Sequence, residues 1–126
     1  MSDGVAPLLR IGILTHNALH HTKRCIATLQ AHTTVPWCAL ILDNASTDAT
    51  QEWLSSLDDP RIRVELRTDN LGVGGGRNWL MQQLLPSMHN DELMVFLDND
   101  IEVGREWAQP FLDAFAERPR LGVAGR

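Results

Sequence analysis

The chain has 126 residues, 44% hydrophobic and 21% charged, with a net charge of −5 and a pI near 5.4. That length suits one domain over residues 1–126 around a single core, and its ten Arg and one Lys form no stripe that would favour nucleic acid or an anionic membrane surface. No apolar run approaches the roughly 20 residues of a spanning helix. Met1–Leu9 lacks the pattern of a signal peptide, so no transmembrane segment and a cytoplasmic location are expected.

Ile11–Leu14 is a short, nearly continuous apolar run, as expected of a strand buried on both faces, and Thr15-His16-Asn17 ends it. From Ala18 to Ala31, positions 18, 22, 25, 26 and 29 share one face of a helix. Val35–Leu42 predicts a second strand, closed by Asp43-Asn44. Ser46 or Thr47 is the expected cap of the next helix, with its stripe at Thr50, Trp53, Leu54 and Leu57. After the turn at Asp58-Asp59-Pro60, Ile62, Val64 and Leu66 alternate with charged residues, which predicts an edge strand with one wet face. A glycine-rich turn, Gly72–Gly76, leads to a helix with Leu80, Leu84 and Leu85 inward. Leu93–Leu97 predicts a further buried strand ending in Asp98-Asn99-Asp100, followed by a helix near Pro110 carrying Phe111, Leu112 and Phe115 inward. Leu121–Ala124 reads as the start of a last strand. The alternation βαβαβαβαβ predicts an α/β fold, a three-layer αβα Rossmann-like arrangement with a mostly parallel sheet.

Ligands of open α/β sheets bind at the carboxyl ends of the strands. Three polar clusters fall at such ends: Thr15-His16-Asn17, Asp43-Asn44 and Asp98-Asn99-Asp100. Each alone is more often a turn or cap, yet three converging on one rim point to a site. Asp98 and Asp100, one residue apart beyond an apolar strand, suit Mg²⁺ or Mn²⁺, which take carboxylates together with substrate phosphates and waters. The glycine stretch matches neither GxGxxG, because Arg77 stands at the last glycine, nor the Gly-Lys-Ser/Thr phosphate loop. Glycines at a helix start still permit close approach of an anion, and Arg77 adds a cation; close helix–sheet packing would explain the same glycines. Cys25 and Cys38 read as reduced, buried thiols; the five histidines carry no metal motif, and His20 and His21 suit an exposed helix face.

Thr15-His16-Asn17, Asp43-Asn44-Ala45-Ser46-Thr47-Asp48, Asn70-x-Gly72 with Gly76-Arg77-Asn78, and Asp98-Asn99-Asp100 together resemble the motifs of the family 2 glycosyltransferases of the GT-A fold, in order and spacing, along essentially the whole chain. The resemblance implies a site for a nucleotide diphosphate-sugar, a UDP-sugar by its motifs. Thr15, Asn17, Asp43, Asn44, Arg77 and Asp98 would line it, with Asp43 accepting from the base imide and Asp98 addressing the ribose. Asp100, with Asp98, would hold a divalent cation, Mn or Mg. It further implies inverting, metal-assisted transfer of the sugar to an acceptor hydroxyl. His16 stands where the family often has Tyr or Phe, and Asn44 where a second Asp is frequent. Members of that family continue past the point corresponding to Arg126, so this chain is expected to be the donor-binding half, with the catalytic base and acceptor loops beyond it. Two other enzyme classes fit less well. A haloacid dehalogenase-type phosphatase needs a downstream lysine, and the only Lys is Lys23, upstream. A nucleotidyltransferase would carry its glycines after the first strand. A non-catalytic nucleotide-binding fragment is the third reading.

Overall fold

The structure, a computed structural model, describes residues 9–89 and 92–117. Its elements are β1 (Leu9–Thr15), α1 (Leu19–His32), β2 (Trp37–Asp43), α2 (Thr50–Ser55), β3 (Ile62–Leu66), α3 (Gly72–Leu84), β4 (Leu93–Asp98) and α4 (Gln109–Glu117). The four strands form one parallel sheet in the order β3-β2-β1-β4. The chain therefore steps one way from β1 to β3 and then crosses back, beyond β1, to β4. That reversal places a crevice between the carboxyl ends of β1 and β4, the usual ligand position of such sheets.

Strand alternation divides the apolar residues between two cores. Leu9, Ile11 and Ile13 of β1, with Trp37, Ala39 and Ile41 of β2, face one side, where they meet Cys25, Ile26 and Leu29 of α1, Leu54 of α2, and Val103 and Ala108. Leu40 and Leu42 of β2 face the other side and meet Leu80 and Leu84 of α3, flanked by Leu14, Met94 and Phe96. Each fully buried Leu or Ile contributes roughly 1.5–3 kcal/mol, so the two layers are held mainly by this interleaving. The expected αβα layering is present, with α3 alone packed on the second face among the described helices.

β3 pairs only with β2 among the described residues, so its expected edge position holds, and Arg63 and Glu65 lie exposed. Elsewhere the details depart from expectation. Ala18 precedes α1 in a left-handed conformation and is not buried, so the buried face is Thr22, Cys25, Ile26 and Leu29. Neither Ser46 nor Thr47 caps α2; the Asp48 carboxylate takes the Thr50 amide at 2.9 Å, and Ser46 is drawn to Asp43. The Thr50 hydroxyl also binds Asp48 and holds its carboxyl below the usual range. α2 stops at Ser55, and Leu57 packs on the core from the loop beyond. The glycines form no loop before a helix but the first turns of α3 itself. Leu85 is 54% exposed, because the chain tightens at Pro86 into a 3₁₀ turn, Leu85–Ser87, that rotates it off the buried stripe. β4 is half-buried along most of its length, with Leu97 buried, since β1 alone flanks it among the described residues. The expected strand at Leu121–Ala124 and the packing of Phe115 lie outside what is described.

One staple away from the crevice ties α1 to the loop before β3. Arg61 grips Asp59 through two bonds, Nε at 3.0 Å and Nη2 at 2.9 Å, while Gln30 donates to the same carboxylate at 3.0 Å. The Arg61 guanidinium also lies 4.1 Å from the centre of the Trp37 ring. Arg61, by hydrogen bonding, keeps the Asp59 carboxyl far below its ordinary range.

Close approach explains two glycines. A Cβ at Gly12 would stand 3.0 Å from the Phe96 ring, and one at Gly76 only 2.5 Å from Leu14 Cδ1 and 3.3 Å from Asn44 Nδ2. α3 thus rests directly on the end of β1. Gly76→Ala is expected to lower stability by about 0–2 kcal/mol, because helix propensity gains about 1 kcal/mol while displacing Leu14 costs about 1–3 kcal/mol. Gly76→Val, whose branch gives Leu14 nowhere to go but the crevice, should lose clearly more. Urea midpoints of the two variants check this; equal midpoints for Val and Ala would contradict the contact.

Candidate functional site

The crevice is a cleft of about 420 Å³ lined by Leu14, Thr15, His16, Asn44, Asn70, Gly72, Val73, Arg77, Asp98, Asn99 and Asp100. All three strand-end clusters contribute to it, together with the first turns of α3. Four of the expected residues, Thr15, Asn44, Arg77 and Asp98, meet here with Asp100. Asn17 and Asp43 do not line it.

Those two hold the walls. Asp43 is fully buried at the end of β2. One oxygen accepts the Ser46 hydroxyl at 2.6 Å; the other accepts the Ser46 amide at 2.9 Å and Gln51 Nε2 at 2.7 Å. Gln51 also donates to the Arg67 carbonyl at 2.9 Å, which binds α2 to the exit of β3. A nucleobase would have to displace Ser46 or Gln51 to reach Asp43. Asn17 accepts the Thr47 amide at 2.7 Å, and its own amide donates to Ser46 Oγ at 2.7 Å. It staples the loop after β1 to the loop after β2. Asn17, Ala18 and Ala45 have φ of 55°, 54° and 60°. For residues other than glycine this costs roughly 1–2 kcal/mol each, so these side-chain bonds maintain a rim the backbone would not adopt alone.

Asn44 is the joint between the strands and α3. Its amide donates to the Thr15 carbonyl at 2.8 Å, its Oδ1 accepts the Leu71 amide at 2.8 Å, and its Nδ2 donates to the Gly72 carbonyl at 3.0 Å. His16 Nδ1 lies 2.6 Å from the Asn44 carbonyl. A carbonyl can only accept, so Nδ1 is the donor, and Nε2 lies 3.4 Å from Asn17 Nδ2. The Asn44 bonds fix the start of α3, where Gly72 takes φ 76° and the backbone N–H groups point out of the helix.

One turn further along α3, Arg77 Nη2 donates to Asp98 Oδ1 at 2.9 Å, with both side chains about half exposed. Asp100 is exposed two residues on, beyond Asn99. No cluster of three or more His, Cys, Asp or Glu suited to a metal occurs among the described residues. The donor set nevertheless fits Mg²⁺ or Mn²⁺ of the kind that borrows ligands from a phosphate: two hard carboxylates in a cleft, and a cation beside them for the phosphate charge.

Beneath this turn lies Cys25, buried, with Sγ 3.8 Å from the Asp98 carbonyl. Burial first, then the charges of Asp100 and Asp98, push its thiol up from 9.0 to about 11. The unfolded thiol ionises from about pH 9 while the folded one keeps its proton, so stability holds below pH 9 and falls between pH 9 and 11. The slope is about 1.4 kcal/mol per pH unit. The chain has no Tyr and one Lys, and its other thiol, Cys38, is common to the parent and to Cys25→Ala, so the difference between the two proteins isolates Cys25. Urea midpoints from pH 8 to 11 should fall in the parent and flatten in Cys25→Ala; parallel curves would contradict the assignment.

The cleft lies at the reversal of an open parallel sheet, where such folds take their ligands, and gathers a helix start, an arginine and paired carboxylates. The sequence from residue 11 to residue 126 matches the family model described as Glycosyl transferase family 2. The chain belongs to that family. It is 27% identical over 124 residues to the N-acetylglucosaminyl-diphospho-decaprenol L-rhamnosyltransferase of Mycobacterium tuberculosis, in each of two strains, which covers 94% of this chain and 40% of that protein. The crystal structure of S. aureus TarS 1–349 superposes with a TM-score of 0.72 at 19% identity, over 94% of this chain and 37% of that one. The latter likeness shows the fold. The chain spans well under half the length of these relatives. Among the described residues no helix is long and apolar enough to cross a membrane.

Sequence reasoning missed Gln51, Val73 and the buried partnership of Cys25 with the Asp98 turn. Val73 is 63% exposed at the cleft mouth and reads in the sequence as filler within glycines. Nothing local marks Gln51; only the placement of α2 brings it to Asp43.

Proposed function

We propose that the cleft binds the diphosphate and nucleoside of a nucleotide-sugar, a UDP-sugar by its motifs, with a divalent cation, and that the whole protein transfers the sugar to an acceptor hydroxyl with inversion. The observation that carries the reading is the meeting of Thr15, Asn44, Arg77, Asp98 and Asp100 around one cleft. Thr15 and His16 lie at the nucleoside end, in this reading, and the start of α3 with Arg77 faces the phosphates. Asp98 and Asp100 both contribute oxygen to the cation, so that Asp98 acts on the nucleotide through the metal and through Arg77. A bound Mg²⁺ or Mn²⁺ would neutralise charge on the departing diphosphate. Asn17 and Asp43 serve by holding the two loops that shape the nucleoside end. The M. tuberculosis relative is named as an L-rhamnosyltransferase of N-acetylglucosaminyl-diphospho-decaprenol; a lipid-linked glycan is the acceptor class this supports.

The test is a melting and calorimetric series with UDP, Mn²⁺ and both, with ADP and GDP as base controls. Each ligand lowers the electrostatic cost of the other, so UDP should bind at least ~10-fold more tightly with Mn²⁺ present. Simple additivity of the two ligands sinks the metal part. Equal binding of ADP and GDP sinks the base assignment, and no binding of any nucleotide removes the whole reading.

A further inference from the structure

Thr28 stands on α1 against the segment that follows β4, and both of its hydrogen bonds have a direction fixed by their partners. Its Oγ1 donates to the Cys25 carbonyl at 3.0 Å, because a carbonyl only accepts, and accepts the Val103 amide at 3.0 Å, because an N–H only donates. Three residues earlier on the same helix, Cys25 Sγ lies 3.8 Å from the Asp98 carbonyl, which also accepts the Ile101 amide at 3.1 Å. The Asp98–Val103 segment is thus attached to α1 at both ends, at residues roughly 5–6 Å apart. Five residue steps could span about 17 Å when extended, so the chain between the attachments has to loop outward. Asp100 stands exposed in the middle of that loop, while Val103 is buried where it returns to the core. The near side is also tied by Asn99, whose Nδ2 donates to the Asn17 carbonyl at 3.4 Å. On the far side Arg24 and Glu102 lie 3.8 Å apart with both side chains more than half exposed, a pair that holds little in water.

We propose that Thr28 is a positioning residue that sets where Asp100 stands, and so presents the Asp100 carboxylate to a divalent cation in the cleft. Burial of the Val103 side chain holds that residue against the core but leaves its peptide free to turn; the Thr28 oxygen fixes the peptide. With both ends of the loop attached to one helix, the Asp100 backbone has less freedom left to lose on binding. Ordering a wholly free residue weakens binding by about 5–30-fold, and a loop held in advance escapes part of that loss. Asp98 precedes the loop and pairs with Arg77 whatever stands at position 28, so the metal-free cleft keeps its shape. The role of Asp100 rests on the nucleotide and cation reading above, while the hold of Thr28 on the loop is a property of the free protein.

The experiment has a ligand-free arm and a ligand arm. Thr28→Val and Thr28→Ala remove the oxygen that accepts from Val103, and Thr28→Ser keeps it. Without ligand, amide hydrogen exchange is compared across the four proteins, with the β1 and β2 amides as the reference for global stability. The Ile101 amide does not touch Thr28, yet it should exchange at least ~5-fold faster in the Val and Ala variants relative to that reference, and within about twofold of the parent in Thr28→Ser. An Ile101 amide as well protected in Thr28→Val and Thr28→Ala as in the parent overturns the proposal. With UDP, calorimetry is run with Mn²⁺ and with a chelator. The tightening of UDP by Mn²⁺ should fall about 3–10-fold in Thr28→Val and Thr28→Ala, metal-free affinity should stay within about twofold, and Thr28→Ser should retain the tightening. Equal losses with and without metal overturn the positioning role, since a general loosening would lower both. A parent without coupling between UDP and Mn²⁺ defeats the cation reading alone, and the Ile101 amide still decides whether Thr28 sets the loop.

Discussion

Asp43→Ala is expected to lower folding stability by about 3–5 kcal/mol, and Asp43→Asn by only about 1–2 kcal/mol. The difference follows from who faces each oxygen. Alanine leaves the Ser46 amide, the Ser46 hydroxyl and Gln51 Nε2 without their acceptor at a fully buried position. Asparagine can keep its oxygen toward the Ser46 amide and Gln51 and place its NH₂ against Ser46 Oγ, which has a lone pair to offer. It loses the charge that strengthens these bonds, and the Ser46 hydroxyl proton loses the oxygen that accepted it. Ala45, at φ 60°, is held in place by the same network, so alanine at position 43 should also free the loop. Urea denaturation ranks the variants. A stable Asp43→Asn protein with UDP affinity cut by ~10-fold or more would instead assign Asp43 a direct contact with the base.

That contrast marks what the sequence makes legible. The alternation at Ile62–Leu66 carries its own edge position, because period-two burial is a local signal. The apolar runs at β1 and β2 are equally local, and their polar ends reveal where a ligand would sit. Roles are harder to read. Asp43 and Asn44 are neighbours in the chain, yet one is enclosed by a loop and the other joins α3 to the sheet. The difference arises because successive residues at a strand end point to opposite faces. The glycines stay two-sided for a similar reason: at a helix start they suit either an approaching anion or close packing, and the contact of Gly76 with Leu14, which is the packing alternative, is set by the approach of α3, a tertiary fact. Gln51 and Cys25 acquire partners only when helices fold back over the sheet. Family likeness supplied the site as a set of positions; geometry separates those that line it from those that support it.

The carboxylates yield the last expected result, a reversal of sign. Without metal, Asp98→Ala should bind UDP more tightly than the parent, by about 2–5-fold. Asp98 holds Arg77 at 2.9 Å and repels a diphosphate; removing it frees the guanidinium and deletes a negative charge. The gain is small because both groups are half exposed and an exposed ion pair is worth about 0–1 kcal/mol. With Mn²⁺ the order should invert. On the proposed reading, Asp98→Ala and Asp100→Ala would each remove an oxygen ligand from a cation that finds no cluster of other protein donors among the described residues. The at least ~10-fold tightening of UDP by Mn²⁺ should fall to near unity in both. Asp100→Ala differs in the metal-free arm, where its gain should be smaller, since the carboxylate that restrains Arg77 is still in place. Calorimetry of UDP into the three proteins, with Mn²⁺ and with a chelator, separates these outcomes. Weaker metal-free binding in Asp98→Ala would mean that Asp98 contacts the nucleotide directly and that its pairing with Arg77 helps that contact. Undiminished Mn²⁺ coupling in Asp100→Ala would place the cation elsewhere.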